Sequence, residues 1–178
     1  MNNFDTTVNA LLTDDFKSAA AAGLIGLGAL TGGSANATPE PKPSITQTRG
    51  VRNNNPGNIE KGIKWGGATG DDGRFIIFDS PEMGIRAIGR ILRTYSRKYG
   101  INTVSGIVSR WAPPNENDTE NYIKNVSTWT GFAPDKKLNV QDPGTMFKLI
   151  NAIIRQENST SYQPDVVNRA IGLIDKNY

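Results

Sequence analysis

The run Arg52-Asn53-Asn54-Asn55-Pro56-Gly57-Asn58-Ile59, followed by Trp65-Gly66-Gly67, gathers amides, turn residues and an aromatic into one short stretch. A side-chain amide donates and accepts hydrogen bonds at once, so Asn54, Asn55 and Asn58 match the hydroxyl and N-acetyl groups of a sugar. The string Asn-Pro-Gly-Asn is equally strong turn chemistry that needs no ligand. Trp65 and Trp111 offer flat faces on which sugar rings stack, or large side chains for a core. Two glutamates are candidates for acid–base work. Glu116 follows Pro113-Pro114, which ends one helix, and precedes a string through Tyr122 that opens another, so it sits on a fixed interhelical loop. Glu82 lies at the second position of a helix begun by Ser80-Pro81. A helix N-terminus favours the charged carboxylate, which suits a base or a structural ligand of the loop better than a glycosidase acid. Asp71-Asp72 could bind a cation or assist an acid across the groove, or be ordinary turn sequence, and Asp118 and Glu120 read as favourable first-turn charges.

The missing residue types narrow the chemistry further. Among 178 residues there is no Cys and no His. That excludes disulfides, thiol and Ser-His nucleophiles, His general bases and Cys/His zinc sites. Any catalysis must use carboxylates, Lys, Tyr, hydroxyls, amides or a hard oxygen-ligated metal, and no particular metal site or cofactor is expected. The net charge is +3, spread as −2 over residues 1–47 and +5 over the remainder. A basic domain of this kind is drawn to anionic polymers without distinguishing nucleic acid, lipid or cell wall.

These residues must be positioned by a domain that begins near Arg49. Residues 1–37 form an arm whose apolar centre, Ala19 to Leu30, is too short and glycine-rich for a spanning helix. Ala35-Asn36-Ala37 resembles a leader cleavage site, yet Asp5, Asp14 and Asp15 precede it where a secretory leader carries positive charge. The segment therefore reads better as a flexible or membrane-interacting arm, or as a leader removed by another protease. Residues 38–48, rich in Pro, Thr and Ser, read as a linker, and residues 49–178 as the globular domain. Gly62 to Trp65 and Arg74 to Phe78 are expected to pair as a hairpin with a long glycine-rich tip. Helices are expected from Ser80-Pro81 to about Tyr99, and over 103–111, 118–128, 143–156 and 164–176. Asn117 with Glu120 has the spacing of a capping box. Arg86, Arg90, Arg93 and Arg97 fall on one stripe of the first long helix, the pattern of a solvated face or of a phosphate contact. The whole is an α+β class, mostly helical with a small β-hairpin.

Taken together, Arg52 to Ile59, Trp65-Gly66-Gly67, Phe75 to Phe78, Asp79 to Ala87 and Trp111 to Tyr122 resemble a family of small bacteriophage and prophage proteins described as virion structural proteins. The resemblance runs over Arg49 to Asn158 and implies a phage origin and a place in the virion. The motifs are more distantly similar to the lysozyme-like glucosaminidases, where an Asn-x-x-Gly-Ile string, a Trp-x-Gly and an aromatic strand before a Ser-led helix follow in the same order. In that family the catalytic Glu lies on a helix before the Asn string. Here Ser44 to Val51 holds no acidic residue, and the nearest is Glu40.

The resemblance thus implies a lysozyme-like domain with a glycan groove shaped by Asn54, Asn55, Asn58, Trp65, Trp111 and Tyr122, and leaves Glu82 or Glu116 as replacement acids. The expected function is a phage virion-associated, peptidoglycan-directed protein that degrades the wall, as a lysozyme or lytic transglycosylase, during infection or release. It would reside in the virion and act at the cell wall or periplasm. The alternative is a non-catalytic virion structural protein that binds glycan or docks to capsid, tail or internal membrane. Expected partners are peptidoglycan, other virion proteins and, through residues 19–30, a membrane; nucleic acid is not expected.

Overall fold

The computed structural model describes residues 47–115 and 117–178. The expected arm, the linker up to residue 46 and Glu116 lie outside the described residues. Six helices and one two-stranded antiparallel hairpin make up the described part: α1 (Arg49–Arg52), β1 (Ala68–Asp71), β2 (Ile76–Phe78), α2 (Pro81–Tyr99), α3 (Val104–Trp111), α4 (Thr119–Thr130), α5 (Pro143–Asn158) and α6 (Pro164–Gly172). The class is α+β, as expected. None of these helices is long and apolar enough to cross a membrane.

Helix α2 is the spine. Its proline at the first position is preset for helical φ, and Ile85, Ile88, Ile91, Leu92 and Tyr95 recur every three or four residues and are all buried. Ser80 occupies the N-cap position, but its hydroxyl donates to Asp79 Oδ1 at 2.8 Å rather than capping the helix. The buried stripe of α2 packs on α5 and α6, α5 packs on α4 and on α6, and α4 on α3. In α5, Met146, Leu149, Ile150, Ile153 and Ile154 form the facing stripe. The result is one core with the hairpin laid against the start of α2.

Two local expectations are corrected. The first arm of the hairpin is Ala68–Asp71, inside the stretch expected to be its tip, and it pairs Ala68 with Phe78 and Asp71 with Ile76. Trp65 is instead buried, at 8% exposure, and the chain reverses directly after it through Ala68 N–H to Trp65 C=O and Asp79 N–H to Gly67 C=O. Burying the indole removes residues 62–65 from the ladder. A short tip suffices because Asp72 Oδ1 accepts from the backbone N–H groups of Arg74 and Phe75. The cap of α4 is Asp118, whose carboxylate accepts from Asn121 N–H, while Asn117 donates its amide to Pro113 C=O. Asp118 lies directly before the first helical residue, where a side-chain oxygen reaches the N3 donor.

Candidate functional site

The asparagine loop begins where α1 ends, and each of its amides has a specific task. Asn53 donates to Asp72 Oδ2 at 2.7 Å, and Asn54 to Phe78 C=O at 3.1 Å. Asn55, with 0% of its surface exposed, donates to Ile59 C=O and Ile76 C=O and accepts from Ile59 N–H, all at 2.9 Å. One side chain thereby closes the loop on itself and ties it to β2. Asn54 and Asn58 adopt left-handed backbone conformations, φ 50° and 47°, which Asn tolerates better than most residues. Gly84 on α2 lets the Asn54 carbonyl come so close that any Cβ there would collide with it.

Asn58 points the other way, across to the last turn of α5. Its amide donates to Glu157 Oε2 at 3.1 Å. Glu157 Oε1 accepts from Tyr122 OH at 3.0 Å and from the Trp111 indole N–H at 3.3 Å. Next to it, Asn158 donates to Pro56 C=O at 2.7 Å and accepts from Thr48 Oγ1 at 2.8 Å. Gly50 of α1 makes room for this crossing, since a Cβ there would strike Asn158 and Asn58. The loop, α3, α4 and α5 therefore meet around one carboxyl group, with α1 packed beside it on Asn158 and Asn58.

Burial dominates the electrostatics of this group. It raises the Glu157 carboxyl to about 7 from an ordinary 4.5, against the opposing pull of the Asn58, Tyr122 and Trp111 donors. Tyr122 is driven well above its ordinary value, chiefly by burial and further by the adjacent Glu157 charge. The hairpin end is the opposite case. Asp72 is lowered to about 2, first by the Phe75 N–H and also by Asn53, the Arg74 N–H and Arg49, which outweigh the cost of burial. Glu157 retains partial solvent exposure, whereas Trp111 and Tyr122 are buried. A carboxyl enclosed in this way, beside a phenol and an indole N–H, keeps its proton to higher pH than an exposed one.

Of the residues nominated from the sequence, Asn58, Trp111 and Tyr122 come together at Glu157. Asn54 and Asn55 brace the loop behind them. Trp65 is buried with no hydrogen-bond partner for its indole N–H among the described residues. Glu82 accepts two hydrogen bonds from the Arg169 guanidinium, at 2.9 and 3.2 Å, and so clamps α2 to α6. Glu116 lies outside the described residues. Among those residues no group of three or more carboxylates is placed to hold a metal ion.

Sequence reading missed Glu157 because the expected helix stopped at residue 156, among charged residues that resemble a solvated end. The signal was present: 157 continues the apolar stripe of Ile150, Ile153 and Ile154 at spacings of seven, four and three. A lone carboxylate on that stripe has to enter the interior.

The arginine stripe is also corrected. Arg86, only 2% exposed, donates to Leu173 C=O and Lys176 C=O, and its guanidinium lies 4.7 Å from the centre of the Tyr178 ring. Arg90 reaches Ile174 C=O, Arg93 pairs with Asp175, and Arg97 bonds Gln141. Arg86, Arg90 and Arg93 are thus occupied by the chain's own C-terminal segment, and Arg97 alone of the four is exposed.

No family model matches the chain. It is 46% identical over 129 residues to Protein P5 of Pseudoalteromonas phage PM2, an alignment that spans 68% of this chain and 78% of that protein.

Proposed function

Because the chain belongs to the same family as Protein P5 of Pseudoalteromonas phage PM2, we propose that it is a structural component of a phage virion that docks to other virion proteins. The family relation carries this reading, and the use of polar groups supports it. The amides of Asn53, Asn54 and Asn55 and the guanidinium groups of Arg86 and Arg90 brace the domain internally, as suits a rigid building block. The test is to purify virions by density gradient and probe them with an antibody against residues 49–178. Co-sedimentation with particles is expected, and recovery only in the soluble lysate would contradict the assignment. Removing residues 1–47 is expected to abolish incorporation.

A second reading, a virion protein directed at peptidoglycan, is favoured by one observation: Asn58, Trp111 and Tyr122, three of the residues that the glycan-groove resemblance singles out, converge on one carboxyl group. Sedimentation with purified sacculi measures it. Retention in the pellet that soluble wall fragments displace supports the reading, and full recovery in the supernatant sinks it.

A further inference from the structure

We propose, independently of the virion assignment, that the open groove beside the hairpin is the docking site of the acidic segment Leu11-Leu12-Thr13-Asp14-Asp15-Phe16 of the same chain. The groove has a volume of about 540 Å³, and Lys61, Ile63, Lys64, Gly70, Asp71 and Ile76 are among the residues that line it. Ile76 is buried and Ile63 half-buried, so the floor is apolar, while Lys61 and Lys64 are exposed at the rim. Lys61 is paired with Asp71 at 3.3 Å. Lys64 pairs with no carboxylate among the described residues, so one ammonium group borders the groove without a counter-charge.

One wall of the groove belongs to β1, the outer strand of a two-stranded sheet. All four of its residues are exposed, and no strand lies along the side of its backbone away from β2. Such an edge is a template for one more strand: main-chain hydrogen bonds hold the added peptide, and its alternate side chains decide what fits. The wall is also low. A Cβ placed on Gly70 would meet nothing within 4 Å, so a side chain of the added strand can pass over it towards Ile76. A fitting occupant is extended, offers an apolar side chain to the floor and, two residues on, a carboxylate to Lys64.

Residues 1–47 match this in charge and in pattern. They carry −2 against +5 for the rest of the chain. Residues two apart in a strand share a side, and Asp14 has Leu12 and Phe16 at those positions. The other acids of the segment lack such neighbours: Asp5 has Asn3 and Thr7, Asp15 has Thr13 and Lys17, and Glu40 has Thr38 and Lys42. The point of attachment suits the groove as well. Residue 47 lies just before α1, whose Arg49 pairs with Asp72, next to Asp71 of the groove. Fully extended, the stretch 17–46 covers about 100 Å, so covalent reach is ample. A segment tethered in the same chain also returns to its site more readily than one arriving from solution. Seated there, it covers an edge that otherwise invites pairing with other chains.

The test is zero-length cross-linking of the full chain with a carbodiimide, which joins a lysine amine to a touching carboxylate as an amide and takes up the released water as a urea. Joined peptides are identified by mass spectrometry, with the Lys61 to Asp71 amide as internal standard. An amide from Lys64 to Asp14 or Asp15 is expected on protein of single-chain mass, in excess over coupling of the exposed Lys124 to the same acids. Lys64→Glu is expected to lose it, and Asp14→Lys combined with Lys64→Glu to regain it. Gly70→Val raises the wall where there is open space, and should lose the Lys64 amide while keeping the internal standard. Coupling of these acids to Lys64 and Lys124 alike, or to neither, overturns the proposal. Coupling found only between two chains overturns it in favour of the segment of a second copy.

Discussion

At the scale of single residues, two carboxyl groups pull the pH dependence of stability in opposite directions. Glu157 has its folded pKa raised from 4.5 to about 7, so the native state holds more protons than the unfolded chain between those values. Its contribution is fully present below about pH 4.5 and is lost as pH rises through about 7, a difference of up to about 3 kcal/mol. Thermal melting of Glu157→Gln is expected to show no such slope in that window, and its melting temperature above neutral pH should match or exceed that of wild type. Asp72, lowered to about 2, acts with the other sign: its contribution is present above the ordinary 3.8 and is lost as pH falls towards 2. Asp72→Asn should therefore flatten the acid limb of the same melting curves. Asn55→Ala strands Ile59 N–H and Ile76 C=O in the interior, while Ile59 C=O keeps only the Ile76 N–H. A loss of about 2–3 kcal/mol in denaturant unfolding is expected.

Between elements, the decisive contact is α2 against the asparagine loop. A methyl group at Gly84 would collide with the Asn54 carbonyl oxygen, which has no flexible end to move aside. Gly84→Ala improves helix propensity yet is expected to destabilise the domain by about 2 kcal/mol in denaturant unfolding. The elements differ in how far the sequence reveals them. Helix α2 is legible because its apolar period, proline start and glycine end agree. The first hairpin arm is not, since Ala68–Asp71 is exposed throughout and has no apolar alternation, while Trp65, which looked like a strand residue, enters the core. The site was half legible. Asn58, Trp111 and Tyr122 stood out by type, but Glu157 lies 99 residues from Asn58 in the chain, and only the packing of α5 beneath the loop brings them together.

For the molecule as a whole, the C-terminal segment closes the structure over Arg86, Arg90 and Arg93 of α2. Those side chains read from sequence as a free basic face because spacing along a helix says nothing about what a distant segment lays upon it. Removing residues 173–178 takes the acceptors from the buried Arg86 guanidinium, which already loses proton affinity, down to about 10, chiefly through burial. The truncated chain is expected to melt at a lower temperature, and Arg86→Met in that background to recover part of the loss, as calorimetry would show.

The other long-range closure is Glu157, where the loop, α3, α4 and α5 join, and the pH dependence of stability above about 4.5 turns on its proton. The most direct measurement is the carboxyl-carbon NMR titration of Glu157 in the intact chain, assigned by comparison with Glu157→Gln. A midpoint near 7 is expected; a midpoint near the ordinary 4.5 would contradict the site as described.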